Sequence, residues 1–384
     1  MSNRATRRAV TAAAARRRAW WQPIALFLLV REIGIVVLRA ATDRWDGSLH
    51  VVLGEWDGLW FAAIAKHGYQ GLPATFVDGH GVHTADTVYA FFPGYPFLVS
   101  VFGRLPAVTY VGAALAISFV ASAFAAVGLH RLTERVTGSS RAGLVLVVLW
   151  AGAPMAIAYS MAYSEALFVA LAAWALWAVV ERRWLLAGWL ALVAGVVRPS
   201  AVALIAAVVV VALVDAVRRR QRAPLLAVVL APLGWLSWMA FVALRTGHLD
   251  GWFRVQREGW DSQLDFGVAT AHFIGRSLTD HNGAMDTVTS LGLLVAVALV
   301  LYAAVRRLSP ALLLYATLTV ALVVLADGTM SSKLRLLLPA IPLLIPLADS
   351  LAKRPVVAAV VLSGWVAFGA WLSAYSLTGW HYAI

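Results

Sequence analysis

Apolar and polar positions alternate along this chain on a long scale: extended apolar runs, punctuated by short basic clusters. The runs occupy 23–41, 108–130, 143–161, 162–180, 185–197, 199–217, 224–244, 288–305, 310–326, 336–351 and 356–377. A membrane span needs roughly 20 apolar residues, so the pattern predicts an all-α polytopic membrane protein with about eleven transmembrane helices. The run 185–197 is short for a span and the next begins at Pro199, which predicts a broken or tilted element there. Segment 90–105, AFFPGYPFLVSVFGRL, is apolar but short and holds Pro93 and Pro96. Counting it as a span would move every later basic loop to the other face, so it is expected to be interfacial or re-entrant.

Basic loops stay on the cytoplasmic side of a membrane, and this sets the orientation. With the N-terminus inside, the clusters at 4–18, 131–141, 182–183, 218–222, 306–307 and 353–354 all fall inside, and most Asp and Glu fall outside. A basic cytoplasmic tail, 1–22, thus precedes a single transmembrane domain, 23–384. The first run is too long for a cleaved signal and no small-x-small site follows it, so it is expected to remain as an anchor. Two long loops, 42–107 and 245–287, lie on the extracytoplasmic side. Both are rich in Trp, Tyr, Phe and His, which predicts ordered loops with interfacial helices.

Composition removes the alternatives. Hydrophobic residues make up 61% and charged residues 13%, against about 45–50% and about 25% in soluble domains. The formal charge of +12 is then chiefly a topology signal rather than a nucleic-acid footprint. With no Cys, neither disulfides nor thiolate metal ligation is available. The nine His show no paired ligand spacing, and no phosphate-cradling glycine loop precedes a helix. No metal, nucleotide or other cofactor is therefore expected.

Candidate chemistry gathers in the outer loops and at span ends. WDGLWFAAIAKHGY, beginning at Trp56, reads as a helix with Trp60, Ile64 and His67 on one face and Asp57 near its start. A carboxylate there favours the helix dipole; beside Trp56 and Trp60 at a membrane surface it is also partly desolvated, which suits general-base work. Asp46, in a second WDG, is the second-choice acid. YAFFPGYP, from Tyr89, is expected to follow a non-helical path as an aromatic wall. Glu165 in YSEALF, Arg198 in VVRPS, and Lys333 and Arg335 in SSKLRLLLPAIP stand at outer span ends. Ionisable groups beside spans are costly, and arginine can hold a phosphate bidentately; Lys333 alone reads as a snorkelling cation. In WFRVQREGWD, Gln256 and Trp260 share a helical face, as a sugar contact or as a capped surface helix.

WDGLWFAAIAKHGY, YAFFPGYP, YSEALF, VVRPS and LRLLLPAIP, in this order, resemble the family of the second mannosyltransferase of GPI-anchor assembly and its bacterial relatives, the PIG-V-like branch of the multi-span C-type (GT-C) glycosyltransferases. The resemblance implies an inverting transferase. It would move mannose from a polyprenyl-phosphate donor to a lipid or glycan acceptor, at the extracytoplasmic face of the plasma membrane. It maps the catalytic carboxylate to Asp57 and the donor phosphate to Arg335 or Arg198; Lys333, near Arg335 in sequence, is a further phosphate candidate. Sugar or acceptor contacts fall to Trp56, Trp60, His67, Tyr69, Glu165, Gln256 and Trp260. Trp60 stands where eukaryotic members carry His, so a GPI precursor is not implied as acceptor. The competing expectation is a transporter or flippase of a lipid-linked sugar, which predicts charges near the midplane; a scaffold within a glycan-building complex is a third.

Overall fold

The computed structural model describes residues 20–43, 48–279 and 283–380. Among them every regular element is helical, apart from one isolated bridge between Leu264 and Ala326. Helix α1 (Gln22–Thr42) leads into α2 (Leu49–Gly54), α3 (Asp57–His67) and α4 (Gly94–Phe102) of the first long loop. Then follow α5 (Tyr110–Thr137), α6 (Ser140–Ala151), α7 (Glu165–Val180), α8 (Trp184–Gly195), α9 (Ala201–Arg219) and α10 (Ala223–Thr246). The second long loop carries α11 (Gly251–Trp260) and α12 (Val268–Thr279). The chain continues through α13 (Ala284–Val305), α14 (Pro310–Val324), α15 (Lys333–Leu337), α16 (Ile345–Ala352) and α17 (Pro355–Thr378).

Each apolar run coincides with a helix or a helix pair, and these differ in length and apolarity. Five of the described helices, α5, α9, α10, α13 and α17, are long and apolar enough to cross a membrane, and the pair Met330–Leu336 and Leu338–Ala352, bent by 51°, adds a sixth. α1 is 21 residues long but carries Arg31, Glu32 and Arg39. α6, α7, α8 and α14 are shorter. The chain is a multi-pass helical membrane protein.

The differences have local causes. Run 143–161 stops at Gly152; Met155 takes φ +64°, a 3-10 turn covers Ala156–Ser160, and α7 begins only at Glu165. Run 336–351 breaks at Pro339 and Pro342, whose missing N–H groups cannot continue an α-helix, and tightens into 3-10 turns over Leu338–Leu344. The expected break before α9 is present and holds Arg198. α4 has 9 residues, about 14 Å at ~1.5 Å per residue, too short to span. Its sequence corrects one expectation: Pro93 and Pro96 do not keep YAFFPGYP non-helical throughout. Pro93 caps α4 and Pro96 lies in its first turn, where proline costs no hydrogen bond.

Irregular backbone inside an apolar bundle must have its polar groups satisfied by protein. The buried stretch 152–164 meets that demand from three sides. Ser122 Oγ donates to the Tyr159 carbonyl (3.2 Å) and Ser118 Oγ to that of Tyr163 (3.0 Å). The Ala162 N–H donates to Leu53 O at 2.9 Å. Arg31, buried in α1, donates through Nη1 to the Ala151 carbonyl that ends α6 (3.2 Å) and through Nε to Ser160 Oγ (3.1 Å). The cation in the first span is thus a backbone clamp.

Packing holds this stretch in place. α7 is apolar on all sides and mostly buried, as a core helix must be. α8 meets α10 along a seam of small residues; a Cβ on Gly234 would collide with the Leu192 carbonyl. α7 starts beside α3 and ends at the turn holding Arg182, where Arg135 meets Glu181, and Asp215 meets Arg219 and Arg182. Basic loops from three parts of the sequence therefore gather at the end of the bundle away from the two long loops.

Candidate active site

Four charged side chains from four separate segments form one line. Asp57 is the first residue of α3, where unpaired helix N–H groups favour a carboxylate. Its Oδ2 accepts from Arg335 Nη1 at 2.6 Å. Arg335 Nε stands 3.4 Å from Glu165 Oε1, and Glu165 Oε2 lies 2.6 Å from Arg198 Nη1. Arg198 Nη1 also donates to Ser164 Oγ at 3.1 Å. The Arg335 guanidinium lies over the Tyr163 ring, 4.8 Å from its centroid. The two contacts to Glu165 are ion pairs rather than well-directed hydrogen bonds, because neither carboxylate oxygen lies along a donor N–H.

Burial divides the line. The side chain of Glu165 is 1% exposed, Arg335 9% and Arg198 10%, whereas Asp57 is 32% exposed. Two guanidiniums against two carboxylates leave no net charge, which is what permits three of them to be buried. Only Asp57 presents its group outward. Trp56, directly before it, sits at φ +55°, ψ −119°, a conformation rare for a residue with a Cβ. Such strain persists only where the surroundings fix it, and it clusters at functional sites. Here the Gly58 backbone packs onto Ala162 and Tyr163, holding the start of α3 against the irregular stretch.

Not every expected residue joins this line. Glu165, expected at the acceptor, is instead the buried partner of both arginines. Lys333 turns away: its Nζ donates to Thr270 Oγ1 and the Ala326 carbonyl, each at 2.6 Å, tying α15 to α12. His67 is exposed in the last turn of α3. Asp46 lies outside the described residues. Tyr163 and Ser164 were missed, although they directly precede Glu165 in YSEALF. Glu55, two residues before Asp57, makes no ion pair with this line among the described residues; burial pushes its carboxyl above its ordinary value.

The aromatic candidates build a separate layer. Trp60 is buried, with one ring face stacked on Phe91 at 4.8 Å and its edges toward Phe76 and Trp260. It is therefore a core member of the outer layer rather than an open sugar platform. Trp260 packs on Trp60 and Phe91 (5.9 Å each), and Gln256 Nε2 reaches the Ala90 carbonyl at 3.5 Å, so α11 clamps the two long loops together. Trp56 remains 37% exposed. Tyr69 donates to the Phe91 carbonyl at 2.9 Å and lines a cavity of about 210 Å³ with Trp60, Gln70, Phe76, His83 and Thr84. An apolar groove of about 140 Å³ runs between α13, α15 and α17, bounded by Leu334, Leu337, Leu338, Val295 and Trp365. Among the described residues no three His, Asp or Glu lie together as a metal site.

The family described as Mannosyltransferase (PIG-V) matches residues 39–234, a stretch that includes Asp57, Glu165 and Arg198 and stops before Arg335. No curated protein matches the sequence. Among solved structures, ArnT from Cupriavidus metallidurans bound to undecaprenyl phosphate aligns with a TM-score of 0.54 at 15% identity, over 92% of this chain and 76% of that one. This likeness is one of fold alone.

Proposed function

The chain belongs to the PIG-V mannosyltransferase family, and from that premise and the charge line we propose that it is an inverting, polyprenyl-phosphate-mannose-dependent mannosyltransferase with Asp57 as its general base. The acceptor is a lipid or glycan, and the site faces the extracytoplasmic side of the plasma membrane. The observation that carries the reading is the 32% exposed Asp57 carboxylate held by the buried Arg335, whose chain neighbour Leu334 lines an apolar groove.

The acceptor oxygen attacks C1 of the donor sugar while Asp57 takes its proton. The bond from C1 to the phosphate oxygen breaks, and polyprenyl phosphate leaves with the electron pair. Arg335 is the group that meets this phosphate, while Arg198 neutralises Glu165, whose charge would otherwise oppose a bound anion. Binding then becomes an exchange: donor phosphate takes the Arg335 fork from Asp57 and frees the carboxylate to act as base. The donor chain lies in the groove beside Leu334 and Leu338. The mannose sits between Asp57 and Trp56, and the acceptor enters past Tyr69. The proposal draws on no metal or nucleotide.

The transport reading is less well supported, because Arg31, a cation deep in a helix, is engaged in clamping backbone rather than facing a passage. The discriminating experiment uses protein in vesicles with radiolabelled polyprenyl-phosphate mannose and extracted envelope lipids. Label transferred to a new lipid or glycan supports the proposal. Label that crosses the membrane still on its polyprenyl carrier would end it.

A further inference from the structure

The end of the bundle opposite Asp57 holds a cavity of its own. α7 connects the two ends: it starts at Glu165 and has 16 residues, about 24 Å at ~1.5 Å per residue. At its far end a space of about 870 Å³ opens between the turn after α7, the last turns of α9 and the start of α14. Its lining is divided. Arg182, Arg218 and Arg219 form one part, and Val210, Val214 and Leu314 form the other.

The charges are arranged rather than scattered. Asp215, buried to 9% exposure, accepts from Arg219 Nε at 3.0 Å and stands 3.4 Å from Arg182 Nη2. Arg182 occupies a left-handed turn position, φ +56°, that favours glycine, and from there its guanidinium reaches across to α9. One carboxylate against three guanidiniums leaves two positive charges in excess. The apolar wall is open: Val210 and Val214 are 45% and 44% exposed.

We propose that this cavity binds one anionic phospholipid from the leaflet opposite the Asp57 site. Its phosphate is held by Arg218 and Arg219 with Arg182, and an acyl chain lies on Val210, Val214 and Leu314. Charge complementarity selects an anion, and basic pockets between helices at a membrane surface suit anionic headgroups. The adjoining apolar wall selects an amphiphile over free phosphate. The volume lies in the usual range for a ligand pocket, roughly 300–1,000 Å³.

The test is native mass spectrometry of the full chain released from neutral detergent with phosphatidylglycerol, cardiolipin or phosphatidylcholine. The proposal expects one phosphatidylglycerol or cardiolipin retained per chain where phosphatidylcholine is lost. It expects at least a tenfold drop in that retention for the double variant Arg218→Gln, Arg219→Gln. Val214→Trp fills the apolar wall without altering charge and should lower retention as strongly. A melting curve in phosphatidylcholine nanodiscs verifies that each variant is folded. Equal retention of phosphatidylcholine, wild-type retention in either folded variant, or full displacement of the lipid by millimolar inorganic phosphate would overturn it.

Discussion

Arg335 Nη1 and Asp57 Oδ2 lie 2.6 Å apart although 278 positions separate them in the chain. The arginine is buried and the aspartate is not, so the pair sits at the boundary between the apolar bundle and the outer loops. It joins a base candidate to a phosphate-binding candidate in one contact, and the proposed chemistry follows from how that contact is exchanged.

Replacing Arg335 with Gln removes the fork that would receive the phosphate. A charge-assisted hydrogen bond contributes about 1.5–3 kcal/mol, so donor KM is expected to rise roughly ten- to a hundred-fold. Arg335→Lys keeps the charge but loses the planar fork and should recover only part. Donor titration of initial rates measures both; an unchanged donor KM in Arg335→Gln would remove the phosphate role.

Glu165→Ala leaves two buried guanidiniums without their shared counter-charge. Breaking a buried pair from one side costs about 3–5 kcal/mol. The double variant Glu165→Leu, Arg198→Met removes the Glu165–Arg198 pair and should be less destabilised than the sum of its single variants. Thermal unfolding in detergent reads the cycle, and strict additivity would show that the two side chains are not coupled.

Trp60→Ala empties the centre of the aromatic layer and is expected to destabilise by about 3–5 kcal/mol. Trp60→Phe preserves the stack on Phe91 and should lose much less. Equal, small shifts in melting temperature would mean that Trp60 is not the packing element it is taken to be.

Asp265 supplies a pH-dependent tie in the second loop. It accepts from the Ala269 N–H (2.6 Å) and the Gly267 N–H (2.9 Å) at the start of α12. Chiefly the Ala269 contact holds its carboxyl below its ordinary value of 3.8; desolvation opposes it, and the Gly267 contact and the Lys333 charge add to the lowering. A depressed folded value means stability that is present above pH 3.8 and lost as the pH falls through the folded value. Asp265→Ala should therefore lower the melting temperature at pH 7 and narrow its difference from wild type in acid. A gap independent of pH would contradict the cap.

Charges in an apolar sequence are conspicuous, which is why Asp57, Glu165, Arg198 and Arg335 could each be picked out singly. Their mutual pairing was not legible, because no local spacing relates position 57 to 335. Glu165 was consequently assigned to the acceptor when its surroundings make it a counter-ion. The helical segments were legible because hydropathy averages over a run. The same averaging hid the breaks at 152–164 and 338–344, where only Gly152, Pro154, Pro339 and Pro342 signal irregular backbone. The role of Arg31 followed from that hidden break: a cation in an apolar helix cannot be read as a carbonyl clamp until the carbonyl is known to be free.

The most direct measurement is turnover of Asp57→Asn beside wild type, with donor binding measured on the same preparations. Asparagine cannot accept the proton, and general-base loss typically costs about 10²- to 10⁴-fold. It also releases Arg335, so the variant should bind polyprenyl-phosphate mannose at least as tightly as wild type while transferring mannose 10²- to 10⁴-fold more slowly. Asp46→Asn, run in parallel, should transfer at the wild-type rate. Undiminished transfer by folded Asp57→Asn, or loss of transfer in Asp46→Asn instead, would contradict the account.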